Sequence, residues 1–160
     1  MQRFGAIAVG LLVFLGPSLA QAQPPKKIKE LMDKNLLLEK EGKYREAYVE
    51  WSKFLKIPAI SGDNLRDEKV QKVYFAGYFY SARPLYKMAT TDPKIKDRQK
   101  FIDAAANMIL NLERAKSKEG WKIAGPMFNE FLKEGDSEQL KKAYEKLKSE
   151  RKKRDDARAP

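Results

Sequence analysis

Neither cysteine nor histidine occurs in this chain of 160 residues, and each absence removes a group of functions. Without cysteine there is no thiolate nucleophile, no disulfide and no cysteine-ligated zinc site. Without histidine the commonest general base and the commonest metal ligand disappear together, and a Ser-His-Asp arrangement with them. The enzyme classes that remain rely on carboxylates, lysine or tyrosine. Sustained alternation of apolar and polar residues is missing as well, so nothing in the chain asks for a sheet. The short aromatic run 73–80 has no second strand to pair with and is assigned to a helix.

Long apolar runs are scarce, with one exception near the amino terminus. Met1-Gln-Arg3 is a basic start, Phe4 to Gly16 is small and apolar, and Pro17-Ser-Leu-Ala-Gln-Ala22 puts small residues at Ala20 and Ala22. That order of three regions predicts a secretory signal peptide over residues 1–22, cleaved after Ala22. The run is shorter than the ~18 to 20 residues that cross a bilayer, which argues against an anchor. Residues 23–25 then form a stiff spacer. The mature chain has no transmembrane segment and is expected in the periplasm or outside the cell. Removing the signal lowers the net charge from +11 to about +10.

What the sequence does have is helix formers. Lys26 to Glu41 contains no glycine or proline and carries Ile28, Leu31, Met32, Leu36 and Leu38 at helical spacing. Gly42 ends this helix, Tyr44 to Ile57 forms the second, and Pro58 stops it. A third helix is predicted from Asp63 or Asn64 to Met88, with Pro84 either kinking or splitting it. Thr91 or Asp92 caps a fourth that starts at Pro93 and reaches Lys116. A fifth spans about Trp121 to Lys133, kinked or restarted at Pro126. Asp136-Ser-Glu-Gln139 reads as a capping box for a sixth, whose inner stripe is Leu140, Ala143, Tyr144 and Leu147. The charged segment 149–160 is expected to be a disordered tail.

Gly42-x-Tyr44-x-x-Ala47-x-x-x-Trp51-x-x-x-Leu55 resembles the turn and second helix of a tetratricopeptide repeat (TPR). Lys34-Asn35 stands where that family's first helix carries a Leu-Gly pair. The resemblance implies an all-α fold of about three antiparallel helix hairpins, covering residues 26–148 and stacked as a short right-handed array. It further implies a protein- or peptide-binding scaffold, with Gly42, Tyr44, Ala47, Trp51 and Leu55 as its structural signature. A partner surface is then expected on the first helices of the pairs, at Met32, Leu36, Tyr78, Tyr80 and Tyr86.

The aromatic helix around 70–88 reads as a buried central helix, with an aromatic-lined groove as the alternative. The basic excess invites an anionic envelope polymer or membrane surface, and export makes nucleic acid the weaker partner. Glu46 with Glu50, and Asp97 with Asp103, are carboxylate pairs that a small hydrolase would need. They lie among lysines at the spacing of surface ion pairs, so no catalytic residue, cofactor or metal site is assigned.

Overall fold

The computed structural model describes residues 26–114, 119–134 and 137–158, which form six α-helices and no strand. They are α1 (Lys26–Lys40), α2 (Tyr44–Phe54), α3 (Glu68–Thr91), α4 (Arg98–Glu113), α5 (Glu119–Leu132) and α6 (Glu138–Asp156). The expected signal peptide and spacer lie outside the described residues. None of the described helices is long and apolar enough to cross a membrane.

The first turn follows the sequence closely. Gly42 takes φ +73°, and the N–H groups of Gly42 and Lys43 reach back to the carbonyls of Glu39 and Leu38 at 3.0 and 2.9 Å. This left-handed cap satisfies the last carbonyls of α1 and turns the chain directly into α2. α2 ends at Phe54, one turn earlier than expected, and short 3-10 turns over Pro58–Ile60 and Gly62–Arg66 fill the connection. α3 consequently begins at Glu68 instead of Asp63 or Asn64, and the Asp67 carboxylate accepts from the Lys69 N–H at 2.8 Å.

α3 is one helix through Pro84; it does not split. Pro84 is itself buried beside Ala82, Leu85 and Tyr86, so packing on both sides of the missing N–H holds the backbone helical. α5 likewise passes through Pro126. The fourth helix starts later than Pro93, because Asp92 ends α3 and its carboxylate accepts from the Lys94 N–H at 2.9 Å. Buried Ile95 then pins the loop before α4 opens at Arg98. No Ser137 side-chain cap forms at the start of α6, and Asp136 of the expected capping box lies outside the described residues.

The segment 149–160, expected as a disordered tail, is helical as far as Asp156. The expectation looked for apolar anchors and found none; the anchors are polar. Arg151 donates to the side-chain oxygens of Asn107 and Asn111, and Arg114 pairs with Asp155 at 3.1 Å.

Consecutive helices from α1 to α5 lie against one another, and there are next-but-one contacts as well. α5 lies on α3 and α6 on α4. α5 runs in the same sense as α3, with Gly120 beside Phe75 at one end and Glu134 within 3.9 Å of Lys87 at the other. The larger core cluster joins α3 to α6 around Phe79, Tyr86, Ile109, Leu110, Phe131 and Leu140. A smaller one joins α1 and α2 to the 3-10 turns through Ile28, Ala47, Trp51, Phe54 and Ile60. Tyr80 packs against both.

Candidate functional site

Two charged arrangements stand out from the otherwise packed helices. The first sits where α1, α2 and α3 meet. Glu39 occupies the inner stripe of α1, at four-residue steps from Asn35, and is only 8% exposed. Its carboxylate accepts from the Arg83 Nε at 2.7 Å and from the Trp51 indole N–H at 2.9 Å. Trp51 stacks on Tyr80 with ring centroids 5.2 Å apart, and the Arg83 guanidinium lies 4.9 Å from the Tyr80 ring centre. Burial pushes the Glu39 carboxyl above its ordinary range, against the pull of Arg83 and the indole bond. Burial also raises the Tyr80 phenol, with Arg83 opposing. All four groups engage one another, so this cluster ties the first hairpin to α3.

The second arrangement lies where the carboxyl-terminal turns of α4 and α6 come together. Arg114, Arg151, Arg154, Asp155 and Arg158 line an open cleft of about 180 Å3. Arg151, Arg154 and Arg158 are three and four residues apart, so they fall along one side of the α6 end. Arg151 is held by Asn107 and Asn111, and Arg114 by Asp155. The guanidinium groups of Arg154 and Arg158 make no ion pair or hydrogen bond among the described residues.

Of the residues expected to form a partner surface, Tyr86 does not belong there. It is 0% exposed and packs edge-on against Phe131 in the larger core, because α5 covers that side of α3. Tyr80 is committed to Trp51 and Arg83. Met32 and Leu36 are half-buried on the smaller cluster, and Tyr78 is half-buried on the larger one. The five are therefore not assembled into one groove, and the aromatic helix is core. Among the described residues the exposed large apolar side chains are Leu37 on α1 at 54% and Val49 on α2 at 44%. Among the signature residues, Ala47 and Trp51 are fully buried, whereas Tyr44 and Leu55 are half-buried.

No family model, curated protein or solved structure matches this chain.

Of the two carboxylate pairs, Glu50 is the member that forms ion pairs among the described residues. Glu50 lies between Lys53 at 2.7 Å and Lys34 at 3.6 Å, and the Lys53 bond holds its carboxyl below the usual range. Asp103 accepts from Gln99 at 2.7 Å. Among the described residues no group of three or more acidic side chains converges as a metal site would.

Neither charged arrangement was among the expected site residues. The signal for the first was an acid on an otherwise apolar stripe of α1 and an arginine inside the aromatic helix. Two opposite charges at positions that packing should make apolar point to each other. The signal for the second was the 151, 154, 158 spacing, which lies among interleaved acids in the segment expected to be disordered.

Proposed function

We propose that this chain is an exported, non-enzymatic scaffold of stacked, TPR-like helix pairs that acts by binding a protein or peptide. The observation that carries the reading is the next-but-one packing of α5 on α3 and α6 on α4, added to the contacts between neighbours. Stacked helix pairs bury one another in this way and leave the outer faces of successive first helices side by side. On this chain α1 contributes exposed Leu37 beside half-buried Met32 and Leu36. With Tyr86 buried, the surface centres on α1.

The test is retention of a partner from the native envelope fraction on the immobilised mature chain, at low and high salt. Leu37→Asp and Leu37→Ala are expected to lower high-salt retention of that partner about tenfold or more, the loss of an apolar anchor worth roughly 1.4 kcal/mol or above. Their melting temperatures should stay within a few degrees of the parent. Retention that salt alone abolishes, and that these variants leave unchanged, overturns the apolar surface.

A second reading is association with an anionic envelope polymer. The arginine-lined cleft at the ends of α4 and α6 favours it, since four guanidinium groups face one concavity with a single carboxylate among them.

A further inference from the structure

We propose that the cleft between the ends of α4 and α6 is a binding site for a terminal phosphate or pyrophosphate group carried by a soluble polymer. The proposal rests on the anionic-partner reading and narrows it to one site and one ligand chemistry.

Charge comes first. Among the described residues, Arg114, Arg151, Arg154 and Arg158 bring four positive charges to a cleft lined by one carboxylate, Asp155. The two helix carboxyl ends contribute roughly half a negative charge each. About two positive charges then remain uncompensated, which suits a phosphate dianion better than a carboxylate.

The type of cation matters as much as its number. Among the described residues every cation lining the cleft is arginine, in a chain that is otherwise rich in lysine. A guanidinium fork meets two phosphate oxygens at once, whereas an ammonium meets them as a point charge. Two of the four are already oriented. Arg151 is held by Asn107 and Asn111, and Arg114 bonds Asp155 at 3.1 Å. Arg154 and Arg158 have free guanidinium groups, which leaves their donors available to a ligand.

The source of the phosphate follows from the surroundings. A lipid headgroup site on a membrane-lying surface is usually flanked by apolar side chains that enter the interface. Among the described residues the large exposed apolar side chains are Leu37 and Val49, on α1 and α2, and the α6 residues interspersed with the cleft arginines are instead Lys152, Lys153 and Asp156. A concave site of about 180 Å3 admits one or two phosphate groups from solution.

The test is a calorimetric titration of the full mature chain with sodium pyrophosphate, without metal, in low salt. One saturable site is expected. Arg154→Gln and Arg158→Gln should each weaken it about tenfold, the loss of one charge-assisted contact. Neither residue holds another in the fold, so both variants should melt with the parent. Lys27→Gln on α1 removes the same charge and should leave the affinity within twofold. Equal losses in all three variants, or no saturable binding, overturn the site. Arginine-dependent binding to phosphatidic acid vesicles as tight as to pyrophosphate overturns the soluble source. Retention on heparin separates the two levels. A chain that heparin retains but pyrophosphate does not bind keeps the anionic reading and loses the site. Pyrophosphate binding without heparin retention supports the site and removes the broader reading.

Discussion

Glu39 is an acid placed where helix packing calls for an apolar side chain, and the rest of the first interface is arranged around that choice. Two donors, the Arg83 Nε and the Trp51 indole, face its two oxygens. Arg83 keeps 23% of its side chain exposed, so the pair is not sealed from water. Burial nevertheless outweighs both donors, and the folded carboxyl titrates above its ordinary value of 4.5. The consequence for pH has a definite sign. A carboxyl raised in the folded state binds its proton more tightly there than in the unfolded chain. Its contribution to stability is complete below about pH 4.5 and is lost as pH rises through the raised value. Glu39→Gln keeps the shape and has no such titration. The stability of the parent relative to the variant should therefore rise as pH falls from neutral toward 4.5, measured by urea unfolding with tryptophan fluorescence as the reporter. A parent that loses stability relative to the variant on acidification would mean that the ion pair with Arg83 outweighs desolvation, and would sink this account. The pair was not legible as a pair in the sequence. Glu39 and Arg83 are 44 residues apart, and only the crossing of α1 and α3 brings them together.

At the scale of elements, what the sequence made plain was local. The Gly42 turn needs one residue with positive φ between two helical stripes, and both the need and the answer sit within a few residues. Ala47 and Trp51 fall inside the hairpin seam for the same reason. Boundaries that depend on distant packing were misplaced. Pro93 reads as a helix start, yet the burial of Ile95 keeps that segment a loop, and Pro84 reads as a break that core packing overrides. The contact of α2 with α3 depends on another local absence. A Cβ on Gly77 would lie 2.8 Å from the Phe54 ring and 3.5 Å from Leu55. Gly77→Ala raises helix propensity, which alone would stabilise by about 1 kcal/mol. The clash with a fully packed ring should outweigh that gain, for a net loss of about 1 to 2 kcal/mol by chemical denaturation. Phe54→Leu in the Gly77→Ala background should recover part of the loss, because the smaller side chain vacates the ring's position. Additive losses in the double variant would show that the ring is not what Gly77 accommodates.

For the whole molecule, the division of the core into two clusters decides how the chain should open. The larger cluster is shared by four helices, α3 to α6, and includes Phe79, Tyr86, Ile109, Phe131 and Leu140. The smaller rests on α1, α2 and the 3-10 turns, and five buried side chains form its centre. It joins the larger through Tyr44, Tyr48 and Tyr80, the Phe54–Gly77 contact and the Glu39–Arg83 pair. α1 is the least supported helix, because α2 covers one side of it and Leu37 faces solvent. A terminal element held by few neighbours opens before a well-packed centre. Native-state hydrogen exchange should therefore show the amides of α1 and α2 opening together, at lower free energy than those of α3 and α4. Glu39→Ala should lower protection in α1 and α2 further while leaving that of α4 unchanged, because the carboxylate acts at the joint between the clusters and has no contact with α4. Uniform protection across all six helices, or an equal drop everywhere in Glu39→Ala, would instead make the chain a single cooperative unit. In that case the partner surface centred on α1 would be as rigid as the core. If the prediction holds, the hairpin that carries the proposed surface is also the one free to adjust to what it binds.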